Sequence, residues 1–192
     1  MIHIVLHEPE IPFNTGAIAR TCVATGSALH MIKPYGFVIS DKMIRRAGMD
    51  YWPKVDLYEY VDFADFLSQH PELDTGRALT GRGETHGTKP KLWYATTKAH
   101  QTYSDVTFGP DDYIMFGKES AGIPEEILTE HEENCIRIPM WGEIRSLNLS
   151  NSVAIILYEA LRQNGFEALS QTGDLHRLHW RDEAALHLPK RD

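Results

Sequence analysis

An α/β layered fold with a mainly parallel sheet flanked by helices is predicted by three features of this chain. Short apolar runs of strand character alternate with segments of helical period from residue 2 to about residue 164. Glycine and proline stand where helices should open or close, at Pro12, Gly26 and Pro124. At 192 residues and 42% hydrophobic content, the chain suits one well-buried core rather than two.

Each element follows from local pattern. Residues 2–7 read as a buried strand, and Pro9, Pro12 and Asn14-Thr15-Gly16 as a turn that opens a helix running to about Thr25, closed by Gly26. Residues 28–33 make a second strand. After Pro34-Tyr35-Gly36, Ser40 or Asp41 caps a short helix carrying Lys42, Arg45 and Arg46, and residues 55–60 return as a strand. Residues 61–70 are helical, with Phe63, Phe66 and Leu67 on one face. Residues 74–91 hold five glycines and prolines among little apolar content and read as an exposed loop. Residues 92–96 and 113–116 are apolar strands, residues 124–131 a helix with Pro at its first turn, and residues 135–138 the last strand. Residues 149–164 form a long closing helix. The domain is expected to span residues 1–167. Residues 168–192, polar and containing histidines, are a peripheral extension, either an appendage or a frayed helix.

The bulk charge narrows the function. A net charge of −8 argues against coating nucleic acid by bulk electrostatics, so any RNA contact must be focused. The N-terminal run has no basic region before it and no cleavage site after it, and no apolar run approaches membrane-spanning length. Cys22 and Cys135 sit in apolar surroundings and read as reduced core residues of a cytoplasmic protein.

Several familiar signatures nearly match and fail on spacing. The segment from Gly81 to Lys89 lacks a Lys directly after a Gly at phosphate-loop separation, and Ser120 falls one place late for a nucleophile elbow. His131 has no second His at zincin spacing. His3 and His7 share a strand face without a third ligand, so no metal is expected.

The most informative stretch is residues 138–156, where Ser146, Asn148, Ser150 and Asn151 crowd the start of a helix whose Val153, Ile156, Leu157 and Leu161 bury the other side. Such a junction either caps the helix or holds a polar ligand. Shortly before it lies Phe116-Gly117-Lys118-Glu119-Ser120-Ala121-Gly122-Ile123-Pro124, in which Gly117 and Gly122 permit close backbone approach to a ligand or positive φ in a tight turn. Lys42, Arg45 and Arg46 form a compact basic cluster in an acidic chain, either a grip on an RNA backbone or a solvated helix face. Tyr35, Tyr51, Trp52 and Trp141 are available to stack on unpaired bases.

Three blocks together resemble the SPOUT superfamily of S-adenosylmethionine-dependent RNA methyltransferases, most closely its TrmL branch of tRNA wobble-nucleotide 2′-O-methyltransferases. They are Glu8-Pro9-Glu10-Ile11-Pro12-Phe13-Asn14-Thr15-Gly16-Ala17-Ile18-Ala19-Arg20, residues 116–124, and residues 138–151 with their Arg-Ser-x-Asn-Leu-Ser-Asn core. A narrower match, Asp41 to Tyr51, is typical of that branch, and the likeness runs from residue 2 to about Gly165. The resemblance implies a deep C-terminal trefoil knot, otherwise nearly absent from folds. It implies a homodimer built through the closing helix and the first block. It also implies S-adenosylmethionine contacts at Gly117, Ile138 and Ser146, with Glu119 and Asn151 as further cofactor-side residues. Ala95 stands where relatives often carry a bulkier aliphatic and leaves a roomier adenine pocket.

Methyl transfer to a ribose 2′-hydroxyl is an in-line displacement in which the protein supplies alignment and a route for the proton, with no metal required. The resemblance places Arg20 on the RNA-facing side. A guanidinium stays protonated, so Arg20 reads as a phosphate clamp that stabilises a developing alkoxide. Tyr158 is either a hydrogen-bonding partner near that hydroxyl or a core residue. Asn14, Lys42, Arg45 and Arg46 are the expected RNA-binding residues. The function so implied is 2′-O-methylation of the wobble cytidine or uridine in the tRNA anticodon loop. Its rivals are methylation of another tRNA or rRNA ribose, and a non-catalytic cofactor- or RNA-binding module.

Overall fold

The computed structural model describes residues 1–38, 51–75 and 89–177. Six strands, β1 (His3–His7), β2 (Ala28–Ile32), β3 (Leu57–Tyr60), β4 (Leu92–Ala95), β5 (Tyr113–Phe116) and β6 (Cys135–Ile136), form one sheet in the order β3-β2-β1-β5-β4-β6. Every pairing is parallel, so each connection crosses over a face of the sheet. Helices α1 (Pro12–Thr25) and α4 (Leu149–Gln163) cover one face, α2 (Phe63–Gln69) and α3 (Glu125–Glu130) the other.

Period-two alternation sorts the strand residues between two cores. Ile4, Leu6, Leu29, Met31, Ile114 and Phe116 pack with Ile18, Cys22, Val153, Ile156 and Leu157 of α1 and α4. Val5, Ile32, Tyr94 and Met115 pack with Phe66 and Leu128 of α2 and α3. Burial on both faces explains why these strands read as nearly unbroken apolar runs.

Three local expectations are corrected. Helix α1 begins at Pro12, so Asn14, Thr15 and Gly16 lie inside its first turns and not in a turn before it. Strand β6 ends at Ile136, because Arg137 bonds through its backbone to Gln101 and Tyr103 and the chain then leaves the sheet at Ile138. A 3-10 turn, Trp52–Lys54, delays β3 to Leu57. The expected helix around Lys42, Arg45 and Arg46 and most of the loop at 76–88 lie outside the described residues. Beyond α4, Phe166 and Leu169 fold back on the core, and residues 168–177 form neither helix nor strand.

On the α2 face a polar chain threads the apolar packing. His3 Nδ1 lies 2.9 Å from His30 Nε2, His30 Nδ1 2.7 Å from the Tyr60 hydroxyl, and that hydroxyl 2.8 Å from His70 Nε2. His70 Nδ1 then meets Glu72 at 3.1 Å. One neutral tautomer set satisfies all four contacts, each ring donating from Nδ1 and accepting at Nε2, with Tyr60 donating to His70.

Candidate active site

A cavity of about 610 Å³ opens at the carboxyl ends of β1, β4, β5 and β6. It lies where the strand order reverses between β1 and β5, the place at which open parallel sheets hold ligands. Its volume falls in the range of about 300–1,000 Å³ usual for small-molecule sites. Ala95, Phe116, Ile136, Ile138, Leu149 and Ile156 give it an apolar lining, and Asn14, Thr96, Ser120, Arg145, Ser146 and Asn148 its polar edge.

The loop after β5 owes its shape to two different glycines. A Cβ on Gly117 would overlap the backbone of Gly122 and Ile123, so the chain crosses itself there at a distance only glycine allows. Gly122 instead adopts φ +75°, and its N–H donates to the Lys118 carbonyl at 2.8 Å. The close approach at Gly117 is therefore backbone to backbone.

That loop holds the start of α1. The N-cap residue Ile11 offers no side-chain acceptor. Glu119 reaches across, accepting from the N–H of Glu10 at 2.8 Å, of Ile11 at 3.3 Å and from Asn14 Nδ2 at 2.9 Å. A carboxylate at a helix N-terminus also meets the positive end of its dipole. Three further bonds lock the same junction. Lys118 Nζ pairs with Glu8 at 2.8 Å, which pushes the ammonium pKa upward, and Glu10 accepts from the Ser120 N–H and hydroxyl at 2.9 Å, which lowers its carboxyl pKa.

The brace continues to the third block. Asn148 Nδ2 donates to Asn14 Oδ1 at 3.0 Å, while Asn148 Oδ1 caps α4 by accepting from the N–H groups of Ser150 and Asn151. Glu119, Asn14 and Asn148 thus connect residues far apart in sequence and fix two helix starts against one loop. The polar junction at 138–156 caps the helix and also borders the cavity. Asn148 braces and caps, and Arg145 and Ser146 remain on the cavity edge.

Of the expected cofactor-side residues, Ala95, Gly117, Glu119, Ile138 and Ser146 line the cavity and Asn151 does not; it is exposed on the first turn of α4. Asn14 lines the cavity but is buried, its amide engaged on both sides. Arg20 lies outside the lining, exposed on α1, its guanidinium carbon 4.7 Å from the Tyr51 ring centroid. Tyr158 is 48% exposed on α4, so it is no core residue. Lys42, Arg45 and Arg46 lie outside the described residues. The bracing roles of Glu8, Glu10, Lys118 and Ser120 are not evident from sequence. Their only signal there is a pair of carboxylates just before a helix that lacks its own cap.

Among the described residues no group of three or more His, Cys, Asp or Glu is placed to hold a metal, and no helix is long and apolar enough to cross a membrane.

A parallel sheet with a ligand-sized cavity walled by the loops at its strand ends is the arrangement in which α/β proteins hold small molecules. Residues 1–158 match the SpoU rRNA Methylase family, and the chain belongs to it. A Yersinia pestis protein named tRNA (cytidine(34)-2'-O)-methyltransferase is 44% identical over 168 residues, covering 86% of this chain and 96% of that one. A Listeria innocua protein, whose name gives the same assignment provisionally, is 45% identical over 183 residues, 94% of this chain and 98% of its own. A solved structure from work on the 2-OH methylation of C/U34 on tRNA superposes with a TM-score of 0.72 at 40% identity, covering 86% of this chain and 97% of that one.

Proposed function

We propose that this protein transfers a methyl group from S-adenosylmethionine to the ribose 2′-hydroxyl of nucleotide 34, cytidine or uridine, in the tRNA anticodon loop. The observation that carries this reading is the 44% identity, across nearly the whole of both chains, to an enzyme named for that position. The family description speaks of rRNA, which keeps another tRNA or rRNA ribose as the second reading.

The cavity suits the cofactor. Ala95, Ile138, Leu149 and Ile156 would hold its apolar surfaces, and Ser146 with the backbone around Gly117 its polar groups. The bound sulfonium supplies an electrophilic methyl group. Arg20 binds a phosphate beside the target ribose and stabilises charge developing on the 2′-oxygen. Residues 42–46 add a local cationic grip that an acidic chain needs.

A homodimer belongs to the same reading. The outer faces of α1 and α4 carry Phe13, 75% exposed, with Ile155 and Tyr158 half-exposed. Large apolar side chains left exposed on two packed helices favour an interaction surface there. Arg20 shares that side and lies outside its own chain's cavity lining, which favours completion of the site by a second copy. The implied knot is also part of this proposal, supported by the return of the chain from the β6 edge to α4, which packs on α1 and β5. A tRNA substrate implies a cytoplasmic location.

The deciding experiment incubates purified protein with labelled S-adenosylmethionine and bulk tRNA or rRNA, then digests to oligonucleotides to map the label and to nucleosides to identify it. Label in 2′-O-methylcytidine or 2′-O-methyluridine at nucleotide 34 is expected. Its absence overturns the proposal, and label in another ribose establishes the second reading.

A further inference from the structure

We propose that Tyr51 is the positioning residue for Arg20, fixing its guanidinium on an aromatic face while leaving its N–H edges free for RNA. This rests on the RNA-facing role given to Arg20 above.

Two independent contacts tie Tyr51 to one turn of α1. The Arg20 guanidinium carbon sits 4.7 Å from the centroid of the Tyr51 ring, within cation–π distance. The Tyr51 hydroxyl donates to the Gly16 carbonyl at 2.7 Å. Gly16 stands four residues before Arg20, so ring and hydroxyl grip the same helical turn. Tyr51 is half-buried and packs with Trp52 on the main core, which makes the platform stiff.

The choice of partner has a chemical consequence. Arg20 has no carboxylate partner among the described residues. A carboxylate would hold the guanidinium equally well, but it would occupy the N–H fork and cancel the charge that a phosphate must meet. A ring face restricts the plane of the group and takes neither. Lys118 shows the contrast, since its charge is paired with Glu8. The polar atoms of Arg20 thus remain available at the end of a side chain whose freedom is already reduced, and preorganisation of this kind acts on the transition state.

The test compares Tyr51→Leu with Tyr51→Phe by two readouts. In NMR spectra the side-chain protons of Arg20 should be displaced upfield by the ring in wild type and Tyr51→Phe and lose that displacement in Tyr51→Leu. In single-turnover methyl transfer Tyr51→Leu should slow the rate about tenfold with unchanged S-adenosylmethionine affinity, and Tyr51→Phe should restore it to within about twofold. In an Arg20→Gln background the Tyr51→Leu change should cost less than about twofold, because the coupling is gone. An equal loss in that background, a Tyr51→Phe rate as low as Tyr51→Leu, or no displacement of Arg20 protons overturns the proposal. If wild type labels no RNA, the functional reading fails, and the Arg20 proton shifts alone decide whether Tyr51 fixes the guanidinium.

Discussion

Glu119 accepts three hydrogen bonds from the segment that starts α1, two of them from backbone N–H groups with no other acceptor nearby in sequence. Glu119→Gln removes the charge and turns part of the acceptor into a donor. Loss of a cap costs about 0.5–2 kcal/mol, so the mutant should melt several degrees lower. Calorimetry with and without cofactor checks this, and an unchanged midpoint would show that α1 is held by other means. Arg20→Ala should lower single-turnover transfer by about 10²–10³ while sparing cofactor affinity, as removal of a charge-stabilising group does. Undiminished transfer removes Arg20 from the mechanism. Sequence made both residues visible as candidates, but it could not show that Glu119 faces a helix start, because its partners lie about 105 to 109 positions away.

At the scale of elements, the loop between β5 and α3 separates two glycines that look alike in sequence. Gly117→Ala drives a methyl into the backbone of Gly122 and Ile123, which no side-chain rotation relieves. Gly122→Ala meets nothing within 4 Å and suffers only from its φ of +75°, a penalty of about 1–2 kcal/mol. Denaturant unfolding should therefore find Gly117→Ala the more damaging by at least about 2 kcal/mol, the cost of forced overpacking, and cofactor affinity should fall with it. Equal effects would mean that the crossing at Gly117 relaxes freely. Helix α4 was legible from its periodicity, and α1 from Pro12 and from Gly26, which closes it at φ 64°. The true start of α1 was not, since its cap comes from another block.

For the whole molecule, pH reports on the buried polar chain. Burial is the main cause that lowers the pKa of His3 to about 4, helped by the N-terminal ammonium, and of His30 to about 3. The unfolded chain takes up these protons as pH falls below about 6.5, while the folded chain resists until about 4 and 3. Stability is thus complete above pH 6.5 and declines as pH drops from there toward 3. Denaturation at a series of pH values should show this slope, and His30→Gln, which does not titrate, should flatten it. An unchanged slope would place the proton uptake elsewhere. Charge acts at this scale too. In a chain of net charge −8, neutralising Lys42, Arg45 and Arg46 should weaken tRNA binding and reduce its logarithmic salt slope by about 0.7 to 0.9 for each phosphate no longer neutralised. Unaltered affinity returns the cluster to a solvated face.

The sequence by itself determined the alternation of strands and helices, the parallel sheet, and the three blocks that carry the family likeness, because these are written in local periodicity and short motifs. The tertiary structure alone decided what those blocks do to one another. It brought Glu119, Asn14 and Asn148 into one brace, set Tyr51 under Arg20, and linked His3 to Glu72 through residues on four separate segments. Each of these joins groups distant along the chain, and the geometry of a hydrogen bond or a cation over a ring is fixed only when folding has closed the intervening loops.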